Sequence, residues 1–63
     1  MNRYTVVRFD AREQPIATAD FATRDEADNC YSDFVKSLEK DGGVQMVSPR
    51  GFILKRFVYG DHV

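Results

Sequence analysis

The sequence has little of what usually stabilises or equips a small protein. Among its 63 residues there is one cysteine, Cys30, and one histidine, His62. A single cysteine excludes an internal disulfide, and a metal site needs several ligands of a kind that this chain scarcely contains. We therefore expect no metal and no cofactor. Cys30 is expected to be a small buried hydrophobic residue in a reducing compartment.

Long apolar runs are missing as well. No stretch approaches the ~20 apolar residues that cross a membrane, and the first residues lack the apolar run of a signal peptide. The chain also contains no repeat and no low-complexity tract. The sequence therefore predicts one domain over residues 1–63, with 60–63 as a short tail. We expect a cytoplasmic protein that makes no contact with a membrane.

Short length limits the core that this chain can form. A domain of this size buries only about 60% of its unfolded surface, so its stability is marginal. Disulfides, a metal or a partner subunit usually compensate in natural domains. With the first two set aside, self-association or another binding partner remains.

One predicted helix organises the rest of the chain. Residues 23–40 carry apolar side chains three or one positions apart, which gives one continuous stripe on a helix. The stripe consists of Ala27, Cys30, Tyr31, Phe34, Val35 and Leu38. Thr23 and Glu26 have the spacing of a capping box at the start. Gly42 and Gly43 are expected to end the helix in a left-handed conformation.

The remaining segments are rich in β-branched and aromatic residues and predict four strands. Those strands are expected at residues 3–9, 16–21, 44–48 and 52–59, with tight turn chemistry at residues 48–51. The order β-β-α-β-β predicts an α+β fold, in which a single helix packs on a four-stranded antiparallel sheet. The second strand has small residues and an outward Asp20, which is typical of a sheet edge.

The last strand is apolar on both faces, although one helix can cover only one face of a sheet. One face carries Phe52, Leu54, Arg56 and Val58, and the other carries Ile53, Lys55, Phe57 and Tyr59. Whichever set packs on the helix, large apolar side chains remain on the open side, and such surface usually marks an interaction site. The alternative is that a bulge or a curled sheet covers it.

No catalytic arrangement can be recognised. Ser32, Ser37 and Ser48 have no histidine near them in the sequence, and the paired carboxylates lie on the solvated side of the predicted helix. One helix on a sheet also offers little concavity for a substrate. We therefore expect a protein that is not an enzyme and has no small-molecule substrate.

Charge is divided between two candidate binding surfaces. Residues 20–41 hold seven acids and three bases, whereas residues 44–59 hold three bases and no acid. The acidic helix presents Asp25, Glu26, Asp28 and Asp33, which could imitate a row of phosphates. The alternative is a solvated face whose acids are placed favourably for the helix dipole.

Aromatic and basic residues suggest a second kind of partner. A sheet carrying Tyr4, Phe57 and Tyr59 with Arg8, Lys55 and Arg56 could stack bases beside cationic groups. The similarity to an RNA-binding sheet is one of composition only, because the aromatic motif of those domains is absent. The same aromatic residues could equally belong to the core.

In its size, its β-β-α-β-β order, its acidic helix and its lack of catalytic residues, the chain resembles small phage-encoded inhibitors of the anti-CRISPR type. The resemblance implies a cytoplasmic domain without cofactors that blocks a host nucleic-acid-handling complex. The acidic helix would suit a nucleic-acid channel, and the open sheet a subunit interface. We therefore predict a small protein-binding module, with a nucleic-acid-binding domain that uses the C-terminal hairpin as the alternative.

Overall fold

The computed structural model describes residues 3–38 and 42–59. Its elements are β1 (Tyr4–Phe9), β2 (Pro15–Phe21), α1 (Arg24–Ser37), β3 (Gly43–Val47) and β4 (Ile53–Val58). All neighbouring strands are antiparallel and lie in the spatial order β2-β1-β3-β4. The predicted α+β class is thus confirmed, with one helix, a four-stranded antiparallel sheet and β2 at an edge. The predicted tail at 60–63 lies outside the described residues.

The helix begins where its capping box predicts. The Thr23 hydroxyl accepts a hydrogen bond from the Glu26 backbone N–H at 3.3 Å and donates to the Glu26 carboxylate at 3.1 Å. The helix ends at Ser37, before the predicted limit of residue 40, and Leu38 is already extended. The side chain of Leu38 is buried in the core, which gives a physical reason for the early end.

The predicted glycine stop is wrong in its position. Gly42 does have a left-handed backbone, with φ of 93°, but it lies beyond the C-cap Leu38 and directly before β3. A Cβ at Gly42 would lie 2.4 Å from the backbone oxygen of Phe9. Glycine is therefore required here by the close approach of the chain to β1 and not by the helix terminus.

The core lies between α1 and one face of the sheet. Its buried members are Val6, Ala27, Leu38, Val44 and Met46. Tyr4, Phe21, Cys30, Tyr31, Phe34 and Val35 pack around them and are partly buried. The face of β1 that meets the helix is therefore the one with Tyr4 and Val6, a choice that the sequence left open. Cys30 was expected to be buried and is only partly covered.

Both edge strands contain a register shift of the kind that a β-bulge produces. Arg8 pairs with Ala17 while Phe9 pairs with Pro15, which leaves Ile16 as the extra residue of β2. Met46 pairs with Lys55 while Val47 pairs with Ile53, which leaves Leu54 as the extra residue of β4.

The turn between β3 and β4 forms as its sequence predicts. The N–H of Gly51 donates to the Ser48 carbonyl at 2.9 Å, and the Ser48 hydroxyl accepts from the N–H of Phe52 at 3.0 Å. Gly51 has φ of 91°, which its missing side chain allows.

Candidate protein-binding surface

β4 is an edge strand that the helix leaves open to solvent. All six of its residues are exposed, because α1 packs mainly on β1, β2 and β3. Seven large apolar side chains are exposed among the described residues, and six belong to β4 or adjoin it: Phe52, Ile53, Leu54, Phe57, Val58 and Tyr59, with Ile16 as the seventh. The apolar surface predicted from the sequence is therefore present and concentrated on the C-terminal hairpin.

Strand register defines which residues share the side of the sheet away from the helix, here called the open face. It consists of Thr5, Val7 and Phe9 from β1, Pro15, Thr18 and Asp20 from β2, Gln45 and Val47 from β3, and Ile53, Arg56 and Val58 from β4. Arg56 lies opposite Gln45, while Ile53 and Val58 lie on either side along β4. The bulge expected as an alternative cover is present at Leu54, yet the strand remains exposed.

Lys55, Phe57 and Tyr59 lie on the helix side of β4. The Lys55 Nζ is 2.8 Å from the Asp28 Oδ1 and 5.5 Å from the centre of the Tyr31 ring. The rings of Phe57 and Tyr59 meet edge to face, with their centres 6.4 Å apart and an angle of 73° between their planes. Lys55 is therefore held against the helix by an anion and an aromatic ring.

The structure does not bring the six predicted aromatic and basic residues together on one face. Tyr4 packs against the core, and the Arg8 guanidinium donates to the Ser37 hydroxyl at 3.3 Å near the helix C-terminus. Lys55 is paired with Asp28, and Arg56 lies on the opposite face of the sheet. Of the predicted set, Phe57 and Tyr59 contact each other, so a continuous stacking platform is not formed.

Two of the four predicted helix carboxylates take part in the fold. The Glu26 carboxylate accepts a hydrogen bond from the Thr23 hydroxyl, and Asp28 pairs with Lys55. Asp25 and Asp33 are exposed. The Lys55 ammonium therefore offsets one of the four negative charges that the sequence predicts for this surface.

An open groove of about 380 Å³ lies at one end of the sheet. Its lining includes Asp10, Glu13, Arg56, Phe57 and Tyr59. None of its described lining residues is a histidine, serine, threonine or cysteine. Sequence reasoning missed this groove, because it forms where the β1–β2 loop approaches the end of β4, and no local pattern records that approach.

The described residues, 3–38 and 42–59, lack two further features. No group of three or more histidine, cysteine or acidic side chains there could hold a metal ion, and no helix there is long and apolar enough to cross a membrane.

The chain matches no protein-family model, and no curated protein or solved structure matches it significantly. What defines its class is therefore the fold and the surface: a small α+β domain with an uncovered apolar edge strand.

Proposed function

We propose that this chain is a small, non-enzymatic protein-binding module whose binding surface is the open face together with exposed β4. The observation that carries the proposal is the exposure of every residue of β4. Monomeric soluble proteins rarely leave contiguous apolar patches uncovered, and larger patches of this kind mark interaction sites.

The composition of the surface supports a protein partner. Protein interfaces are enriched in aromatic residues and arginine and are depleted in charged residues at their centre. On the open face, Arg56 is the one charged residue contributed by β4, and Ile53 and Val58 flank it. Such a surface combines apolar anchors with a guanidinium group that can make several directional hydrogen bonds.

A narrower form of the proposal follows from the resemblance to phage-encoded inhibitors. In that form the open face occupies a subunit interface of a host nucleic-acid-handling complex and blocks it. Its support is the similarity in size, element order and acidic helix. Because Glu26 and Asp28 already take part in the fold, this form relies on the sheet more than on the helix.

Site-specific photo-crosslinking in host cells tests the proposal. A photoreactive amino acid replaces Ile53 on the open face, and the matched control carries it at Ser32 on the exposed side of the helix. We expect a discrete protein adduct from position 53 that is missing from position 32 and is weakened by Arg56→Glu. The same products from both positions, or none from position 53, would contradict the proposal.

The alternative function has its own measurement. A nucleic-acid binder would bind oligonucleotides at ~50 mM salt, and reversing Lys55 and Arg56 to Glu would abolish that binding because it is electrostatic. We expect no measurable affinity of the unaltered chain for single- or double-stranded oligonucleotides. Salt-dependent binding that is lost in the double Glu variant would favour the alternative.

A further inference from the structure

The outer edge of β4 presents backbone hydrogen-bonding groups that pair with no residue in the described ranges 3–38 and 42–59. The Tyr59 N–H donates to the Gly42 carbonyl at 2.9 Å, and Phe57 lies opposite Val44 in the same register. In an antiparallel pair, alternate residues direct both backbone groups toward the same neighbour. Tyr59 and Phe57 therefore face β3, whereas Arg56 and Val58 direct their N–H and C=O groups outward. No strand of the described chain lies beyond β4.

The two edges of the sheet differ in their protection against another strand. Proteins protect edges with proline, bulges and charged side chains. β2 begins at Pro15 and is bulged at Ile16. The bulge of β4 lies at Leu54, before the outward groups begin, and the Lys55 side chain is held against the helix by Asp28. Residues 56–58 therefore form a regular edge that can accept a strand.

We propose that β4 pairs antiparallel with β4 of a second copy of this chain, about a two-fold axis that passes at Phe57. The two four-stranded sheets then form one continuous sheet, with both helices on the same side. This inference goes beyond the proposed function, because it concerns the backbone edge of β4 and a second copy of the chain, whereas the proposed function concerns exposed side chains and a different protein. Such a dimer presents two open faces side by side.

The outward backbone groups and the charges favour this register over those centred on Arg56 or Lys55. Centred on Phe57, the pairing places Arg56 of each copy opposite Val58 of the other, so the outward groups of both residues are satisfied. Centred on Arg56, it would place two guanidinium groups directly opposite each other. Centred on Lys55, it would oppose two ammonium groups and include the bulge at Leu54. Like charges directly opposite are destabilising.

The side chains on the helix side are also self-complementary in this register. Phe57 meets Phe57 of the second copy as a non-hydrogen-bonded pair, in which side chains approach most closely. Lys55 lies opposite Tyr59 of the second copy and can contact its ring as it contacts Tyr31 here. Phe57 and Tyr59 are 37% and 42% exposed in the single chain, and pairing would cover both.

Sedimentation equilibrium over a dilution series tests the dimer. We expect a monomer–dimer equilibrium for the unaltered chain, and loss of the dimer in both Phe57→Lys and Phe57→Glu with circular-dichroism spectra unchanged. Mixing the two variants should restore a dimer, because opposite charges then meet at the axis. A parent that is monomeric throughout, dimers that persist in either variant, or a mixture that stays monomeric would each overturn the proposal.

Disulfide trapping keeps the test decisive if a charged residue at position 57 prevents folding. In a Cys30→Ser background, Phe57→Cys should form a disulfide-linked dimer on mild oxidation, because the Cα atoms of such a pair are only about 4.5 Å apart. Ile16→Cys, on the other exposed edge, is the matched control and should stay unlinked. Equal cross-linking at both positions, or none at position 57, contradicts the register.

Failure here can be told apart from failure of the proposed function. A monomeric chain that still gives the protein adduct from Ile53 keeps the proposed function and loses the dimer. A dimeric chain that gives no such adduct keeps the dimer and loses the proposed function.

Discussion

The ammonium group of Lys55 lies 2.8 Å from the carboxylate of Asp28 and links the edge strand β4 to the helix. The two side chains are 42% and 35% exposed, so water screens the pair in part. Their contact connects the most basic part of the chain with its most acidic part. It also removes one charge from each of the two surfaces that the sequence proposes for binding.

The first prediction concerns the strength of this ion pair. In a double-mutant cycle with Lys55→Met and Asp28→Asn, we expect a coupling free energy of about 0.2–1 kcal/mol, as is typical of partly exposed pairs. Urea unfolding of the four proteins measures it, and high salt should reduce it. A coupling energy of zero at low salt would mean that the pair does not stabilise the fold.

A second prediction concerns the contribution of the helix to the core. Phe34 packs against the buried cluster but is itself only partly buried. We expect Phe34→Ala to cost about 3 kcal/mol, at the lower end of the range for such truncations. Ser32→Ala, on the exposed side of the same helix, should change stability by less than about 0.5 kcal/mol. Equal urea midpoints for the two variants would show that the helix packs on the sheet with a face that does not include Phe34.

A third prediction compares two glycines with the same backbone conformation. Gly42 and Gly51 have φ of 93° and 91°, so alanine at either position costs about 1–2 kcal/mol in backbone strain. A Cβ at Gly42 would also meet the Phe9 carbonyl at 2.4 Å, whereas nothing lies within 4 Å at Gly51. Thermal unfolding should therefore show Gly42→Ala to be clearly less stable than Gly51→Ala. Two equal melting temperatures would contradict the close approach.

The thiol of Cys30 gives a fourth prediction. Partial burial raises the pKa of Cys30 above its ordinary value of 9.0, and the negative charge of Asp33 raises it further. Asp33→Asn should therefore lower the pKa of Cys30 partway toward 9.0. The pH dependence of alkylation by iodoacetamide measures the shift, with Asp25→Asn as the control. A control that shifts the profile as far as Asp33→Asn would exclude a specific effect of Asp33.

The same shift makes stability depend on pH in the alkaline range. Because the folded state holds the Cys30 proton more tightly, the unfolded state loses its proton first as pH rises. The free energy of unfolding should therefore fall above about pH 9, where the unfolded thiol ionises. Burial also raises the pKa of Tyr31 above 10.0, although Lys55 lowers it, and this group acts in the same direction. Cys30→Ala should remove the part of this decrease in unfolding free energy that begins near pH 9.

Local chemistry was enough to predict most of the elements. The Thr23–Glu26 capping box set the helix start, and the turn residues set the β3–β4 hairpin, because each signal acts within four residues. The helix end could not be predicted in this way. Leu38 fits the helical stripe, yet it is extended and its side chain is buried in the core. Tertiary packing therefore determines the backbone conformation of Leu38, which the helical period alone would place in the helix.

The exposed apolar surface was predicted in outline, but its contacts with the rest of the fold were not. The two-sided apolarity of residues 52–59 correctly indicated exposed apolar side chains, because one helix cannot cover a four-stranded sheet. The partners of Lys55 and Arg8 could not be predicted, because Asp28 and Ser37 are distant in the sequence and meet them only after the sheet forms. Counting charges in the sequence therefore overestimated the negative charge that the helix has free for a partner.

The last prediction separates the helix from the sheet as the surface that binds a partner. Asp25 and Asp33 are exposed, and replacing both with Asn leaves the Asp28–Lys55 pair intact. The fold should survive, since an acid near the start of a helix contributes only about 0.3–1 kcal/mol through the dipole. If the helix imitated nucleic acid, the lost charges would weaken binding and flatten its salt dependence.

For the protein that crosslinks to position 53, we expect binding to depend on the sheet and not on the helix carboxylates. Arg56→Glu should weaken binding by at least about 1 kcal/mol, because it reverses the charge on the open face among exposed apolar side chains. The Asp25→Asn and Asp33→Asn double variant should bind like the parent at both low and high salt. Calorimetric titration of the three proteins makes the comparison. Weakened binding by the Asn variant, with Arg56→Glu unaffected, would transfer the binding surface from the sheet to the helix.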